Sequence, residues 1–241
     1  MNICHFHNLK ATMLQYCFLF SCLCLVPMEA TAATVINAGV GGNRSSQLLK
    51  RLDRDVLARK PTTVVLMVGT NDRLNLGGFI DIKSYRKNVE SLIDQIEAAG
   101  AKVLLVTPPT CVPELLFNRH DRKKYDDQPP IERMREVRSV LLEVAQQKNV
   151  NLLDFHEYLI QHKIADDQKT SMLRNPANSG VKDGVHLIPA GYELLAKLVA
   201  KKLQAGEFDM TTVVCFGDSL TKGSEKANYP AYLQTILNRE Q

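Results

Sequence analysis

Late in the chain an apolar run, Val213-Val214-Cys215-Phe216, breaks into Gly217-Asp218-Ser219-Leu220. A buried strand that ends this way delivers Ser219 to the lip of a sheet, where a hydroxyl can meet substrate. A serine hydroxyl is a poor nucleophile at its free pKa, so it needs a base. Asp183-Gly184-Val185-His186 offers one, a carboxylate and an imidazole three residues apart just before Pro189. With that spacing Asp183 can hold the ring in one tautomer while the other ring nitrogen faces Ser219, the division of labour of an acyl-transfer triad. The same pattern also serves as a local cap beside a surface histidine. His156, which follows Leu153-Asp154-Phe155, is the main rival base, whereas His120 and His162 sit in polar surroundings.

Acyl transfer further requires donors aimed where the oxyanion develops. The Gly41-Gly42 turn can present a backbone N–H with no side chain in the way, and Asn71 in Gly69-Thr70-Asn71-Asp72 can present a side-chain amide. Read purely structurally, the glycines make a tight strand-to-helix turn and Asn71 bonds its own backbone. A dinucleotide fingerprint fails here, because Gly39 and Gly41 fit but Arg44 stands where the third glycine belongs. No Gly-x-Ser-x-Gly surrounds any serine, which argues against an ordinary nucleophile elbow.

The elements that must position these residues alternate from Thr34 onward. Strands are expected at 35–38, 64–68, 103–106, 150–153 and 213–216. Helices are expected from Ser45 to Leu57, Tyr85 to Ala99, Ile131 to Gln147, Pro189 to about Leu203 and Tyr229 to Leu237, with Gly100 and Gly206 as stops. Nearly continuous apolar strands separated by helices indicate one doubly wound α/β domain, its parallel sheet covered on both faces. In such sheets ligands bind beyond the carboxyl ends of the strands, where Gly39 to Asn43, Gly69 to Asp72, Thr107 to Pro109 and Gly217 to Ser219 all fall. Residues 110–130 and 157–182 read as irregular loops at that edge, suited to shaping a substrate or to plain surface insertions.

The 241 residues, 45% hydrophobic and 23% charged, have ordinary globular composition. A net charge of +4 with no long basic run and no Trp argues against nucleic-acid binding. Residues 1–32 read as an export signal: Lys10, the apolar stretch from Met13 to Val26, then Ala30-Thr31-Ala32 as cleavage site. That stretch is short for a bilayer span, and an N-terminal anchor is the alternative. Four of the six cysteines fall in this segment, leaving Cys111 and Cys215 as two buried thiols rather than a disulfide framework or metal set.

Gly217-Asp218-Ser219-Leu220, Asn37 to Asn43, Gly69-Thr70-Asn71-Asp72 and Asp183-Gly184-Val185-His186 together resemble the four blocks of the SGNH, or GDSL, hydrolases. The resemblance covers essentially everything from Thr34 onward. It implies a three-layer α/β/α domain at 33–241 with a five-stranded flavodoxin-like sheet, no metal and no organic cofactor. It further implies Ser219 as nucleophile and oxyanion donor, Gly42 and Asn71 completing the hole, His186 as general base and Asp183 as its orienting acid. The departure is the order, since the family's serine block usually comes first and here, at 213–223, it comes last. Circular permutation is the simplest explanation, the old ends being joined through 205–211. The expectation is an exported serine esterase acting on short acyl esters or O-acetylated carbohydrate, with no nucleic-acid partner and no membrane span in the mature chain. Alternatives are a lysophospholipase or thioesterase, an acyltransferase on the same site, and a non-catalytic carbohydrate-binding module.

Overall fold

The computed structural model describes residues 33–75 and 77–239. The segment read as an export signal, 1–32, lies outside the described residues. Five strands form one parallel sheet: β1 (Thr34–Gly39), β2 (Thr63–Met67), β3 (Lys102–Val106), β4 (Asn151–Leu153) and β5 (Thr212–Gly217), in the spatial order β1-β5-β2-β3-β4. The chain's last strand is thus inserted between its first two. The helices are α1 (Ser45–Asp55), α2 (Thr70–Leu74), α3 (Ile82–Ala98), α4 (Pro113–Leu116), α5 (Pro130–Lys148), α6 (Phe155–Gln161), α7 (Pro176–Ser179), α8 (Pro189–Ala205), α9 (Ser219–Lys222) and α10 (Tyr229–Arg239). None of the described helices is long and apolar enough to cross a membrane.

Strand side chains alternate between two faces, so each apolar strand feeds two cores. Val64, Leu66, Val103, Leu105, Val214 and Phe216 are buried with Leu48 and Leu52 of α1, Leu92 and Ile96 of α3, and Val137 and Leu141 of α5. Val65, Met67, Leu104, Val106, Val213 and Cys215 are buried with Leu195 and Val199 of α8 and Leu233 of α10. This is the expected single α/β domain with helices on both faces. Cys111 and Cys215 are both free and buried, as expected.

Element boundaries differ where caps act. Helix α3 begins at Ile82, ahead of the expected Tyr85, because the Asp81 carboxylate accepts from Ser84 N–H at 2.9 Å. Helix α1 stops at Asp55 and yields to a 3₁₀ turn at Leu57–Arg59. The two stretches expected as irregular loops, 110–130 and 157–182, contain short helices instead, and long-range pairing fastens both. Val112 N–H donates to Gly184 O at 2.8 Å, Leu173 bridges Leu187 in antiparallel fashion, and Arg174 N–H donates to His186 O at 2.7 Å.

Register brings the site together. Gly39 and Met67 both pair with Gly217, so three strands end in one row. Gly217 must be glycine, since a Cβ there would sit 2.3 Å from Met67 O and 2.3 Å from Thr221 Oγ1. Just beyond that row each chain segment delivers a residue of interest: Gly42, Asn71 and Ser219.

Candidate active site

Ser219 is the first residue of α9, and the residue before it caps that helix: Asp218 Oδ1 accepts from Leu220 N–H at 2.8 Å. The turn so formed aims the hydroxyl out of the sheet edge. His186 sits on the loop before α8, held through its backbone by Arg174 as above. Its Nε2 lies 3.0 Å from Ser219 Oγ, and its Nδ1 lies 2.9 Å from Asp183 Oδ2 and 3.1 Å from Oδ1. A carboxylate accepts only, so Nδ1 carries the proton and the Ser219 hydroxyl donates to Nε2. That orientation readies Ser219 to lose its proton to the ring.

Asp183 Oδ1 also accepts the backbone N–H groups of Val185 and His186, both at 3.0 Å. Burial alone would raise this carboxyl, but the His186 hydrogen bonds and charge, together with Arg119, hold it well below the usual carboxylate range. It therefore stays ionised throughout the neutral and mildly acid range.

Gly42, Asn71, Ser219 and His186 line one cavity of about 220 Å³, and Asp183 lies behind the imidazole. Gly42 has φ +77°, a conformation that favours glycine, and no protein atom would lie near an added Cβ. Among the described residues the N–H groups of Gly42 and Ser219 have no protein acceptor. Asn71 is engaged more fully than its sequence suggests: Nδ2 donates to Asp218 Oδ2 at 2.9 Å and to Asn43 O at 3.2 Å. Asp218, 1% exposed, has its pKa pushed up to about 6 by burial, against the opposing Leu220 N–H and His186. Both its oxygens accept hydrogen bonds, an arrangement suited to the ionised form.

Asp72, next to Asn71, is buried and binds the start of α1: it accepts from Ser45 N–H at 3.0 Å and from Ser45 Oγ at 2.5 Å. The turn bearing Gly42 is thereby tied to the segment bearing Asn71.

The structure separates the rival base from this site. His156 lies in α6, 4% exposed, and lines a different cavity of about 410 Å³ with Cys111 and Arg138. Burial lowers its pKa. Four contributors escaped sequence reasoning: Leu74, Leu116 and Val185, which give the Ser219 cavity an apolar wall, and Thr70, whose buried hydroxyl has no protein partner. Arg119 and His120 also line it, with His120 Nδ1 2.8 Å from the Tyr125 hydroxyl. Helical or strand periodicity marks none of these as site residues. Among the described residues no group of His, Cys, Asp and Glu could hold a metal ion.

A model of the GDSL-like lipase/acylhydrolase family matches residues 25–194, a span that ends before the serine block at 213–223. A solved lipase/acylhydrolase from Enterococcus faecalis is 27% identical, with a TM-score of 0.54 over 70% of this chain and 74% of that one. An acetylxylan esterase of Geobacillus stearothermophilus is 27% identical over 120 residues, 50% of this chain and 53% of its own length. An uncharacterized lipoprotein of Bacillus subtilis (strain 168) is 23% identical over 188 residues, 72% of this chain and 73% of its own. With the family match spanning well over half of the sequence, the chain belongs to the GDSL-like lipase/acylhydrolase family and is an ester-hydrolysing enzyme.

Proposed function

We propose that the protein is an exported serine esterase that removes short acyl groups, acetyl above all, through an acyl-enzyme on Ser219. The observation that carries this reading is the unbroken relay from Asp183 through His186 to Ser219, with contacts of 2.9 and 3.0 Å. His186 Nε2 takes the Ser219 proton as Oγ attacks the ester carbonyl, and Asp183 stabilises the imidazolium. The tetrahedral oxyanion is received by the N–H groups of Gly42 and Ser219 and by the Asn71 amide. For Asn71 the longer bond, to Asn43 O, is the one to be shared or released. His186 then protonates the departing alcohol, the acyl-enzyme forms, and water attacks it through the same base to restore Ser219.

A cavity of about 220 Å³ is smaller than the ~300 Å³ at which drug-sized pockets begin, which favours a short acyl group over a lysophospholipid chain. Short acyl esters and O-acetylated carbohydrate fit it alike, and the similarity to an acetylxylan esterase inclines the choice to the latter. Membership of an acylhydrolase family sets the binding-module alternative aside.

We further propose that the serine block has moved from the head of the family's order to its tail. Counted with β5 as the first strand, the sheet order becomes 2-1-3-4-5, the flavodoxin-like arrangement. Helix α10, which follows the serine block, lies beside the start of β1: Gln234 Nε2 donates to Ala33 O and Gln234 Oε1 accepts from Val35 N–H, both at 2.7 Å. A short link could therefore join the two.

Ser219→Ala is expected to abolish turnover of 4-nitrophenyl acetate and acetylated xylose, and equal rates in both proteins would sink the nucleophile assignment. Asn71→Ala is expected to lower kcat by about a hundredfold with little change in KM, measured by steady-state kinetics. The Asp218 carboxyl binds its proton more tightly folded than unfolded, so its contribution to stability is full below about pH 4 and lost as pH rises through about 6. Relative to Asp218→Asn, the wild type should therefore lose roughly 2 kcal/mol between pH 4 and 7 in urea unfolding, and a flat difference would contradict the shift. A chain opened near Gly206 and closed from Arg239 to Ala33 by a short Gly/Ser linker should keep its circular dichroism and its Ser219-dependent activity; failure to fold would count against the permutation. Mass spectrometry of secreted protein should find its first residue near Ala33 if residues 1–32 are an export signal.

A further inference from the structure

One guanidinium group lines the Ser219 cavity and a second reaches its wall, and neither has a carboxylate to itself. Arg119 lines the cavity and is 42% exposed at its side chain. Its Nη2 donates to Asp183 Oδ1 at 3.2 Å and to Asp183 O at 3.4 Å. That Oδ1 already serves His186 and Val185, so Arg119 holds a minor share of it. Among the described residues its Nε and Nη1 have no partner. Arg44, just past the Gly42 turn, reaches Asn75 O on the cavity wall at 3.5 Å, has a buried Nε without a partner, and forms no ion pair among the described residues.

A tether whose only task was to fix Asp183 would grip it with both arms of the planar fork, the geometry in which arginine binds carboxylates most strongly. Arg119 grips with one arm. Its Nε–H and Nη1–H groups therefore remain as donors for a second carboxylate at a cavity that also holds Ser219, the apolar wall and His120. The other acidic groups nearby, Asp72 and Asp218, are buried and already hydrogen-bonded, and do not neutralise this guanidinium.

We infer that the enzyme selects esters that carry a carboxylate a few bonds from the scissile carbonyl, with Arg119 as the residue that reads it and Arg44 adding positive potential beside it. This rests on Ser219 being the nucleophile. The carboxylate has two possible sources, the acyl group of a dicarboxylic half-ester or the alcohol of an esterified uronic acid, and either presents the same planar anion to the fork.

The test compares kcat/KM on two matched pairs, each by pH-stat: monomethyl succinate against methyl butyrate, and an O-acetylated methyl glucuronoside against the corresponding glucoside. Wild type should favour the charged member of one pair, which identifies the side of the ester that bears the carboxylate, and added salt should narrow the preference. In Arg119→Gln the charged-to-neutral ratio should fall about 10- to 100-fold, with a smaller fall in Arg119→Lys, which keeps the charge but not the fork. Reading the ratio removes any general loss that the variants suffer through Asp183. A second measurement uses Ser219→Ala, whose melting temperature should rise with succinate or glucuronate, an effect that should vanish when Arg119→Gln is added. A wild type that hydrolyses the neutral esters through Ser219 without preferring either charged partner, or a ratio unchanged in Arg119→Gln, would overturn the inference and leave the esterase reading standing. Neutral-ester turnover that survives Ser219→Ala would instead overturn the nucleophile assignment, and this inference with it.

Discussion

Everything at the sheet edge depends on one buried cation. Arg51 projects from α1 across the ends of β1 and β5, donating to Ala38 O at 2.8 Å, Gly217 O at 2.7 Å and Asn43 Oδ1 at 2.7 Å. Asp55 pairs with it at 2.9 Å, and its guanidinium lies over the Phe216 ring at 4.5 Å. Taking a guanidinium out of water is costly unless its donors are satisfied, and here the acceptors are two strand-end carbonyls, the Asn43 side chain and the Asp55 carboxylate. Removing Arg51 would take a donor from both carbonyls, leaving Gly217 O with the Val40 N–H at 3.1 Å, and would free the Asn43 turn. Gly42 and Ser219 belong to segments far apart in sequence, and Arg51 holds them in a fixed relation together with the strand pairing and the Asn71 amide that bridges Asn43 and Asp218.

Most of the fold was legible because its signals are local. Continuous apolar runs such as Val64 to Val68 and Val213 to Phe216 have no other use than a strand buried on both faces, and Pro189 and Gly206 bracket α8 as a first-turn proline and a stop should. What escaped was set by contacts far apart in sequence. The stretch at 157–182 has no periodicity because its main task is to brace another loop: Leu173 and Arg174 pair with Leu187 and His186. The stretch at 110–130 is similarly fixed by Val112 on Gly184 and by Tyr125, whose hydroxyl donates to Leu74 O at 2.5 Å. A window that sees only neighbours in sequence has no means of finding such pairs.

The site was legible in a different way. Ser219, His186, Asp183, Gly42 and Asn71 were each ambiguous alone, and only their joint occurrence at successive strand ends and loops pointed to one chemistry. The register explains why that reasoning works: a parallel sheet with aligned strand ends brings residues two or three places past each strand into one neighbourhood, whatever the order of the strands along the chain. A strand that comes last in the chain, such as β5, therefore still sets its end residue beside those of β1 and β2. The specificity side had no such help. Leu116, Arg119 and His120 reach the cavity from an irregular segment, where residue type alone says nothing about direction.

Two carboxylates flank the serine, and their surroundings pull them in opposite directions. Asp183 receives backbone N–H groups, the imidazole and one arm of Arg119, and is held anionic into strong acid. Asp218 receives the Leu220 N–H and the Asn71 amide inside a fully buried site, which leaves its proton available near pH 6. Environment rather than residue type thus separates an acid that must remain charged behind the imidazole from one that orients an amide. If Asp218 takes up a proton, one of its two acceptor oxygens becomes a donor, and the Asn71 amide that faces it must turn or find another partner. Acid would then weaken the proposed oxyanion site through Asp218 at a pH where Asp183 is still ionised. The acid limb of activity would then carry the signature of this buried carboxyl, on the side of Ser219 away from the imidazole.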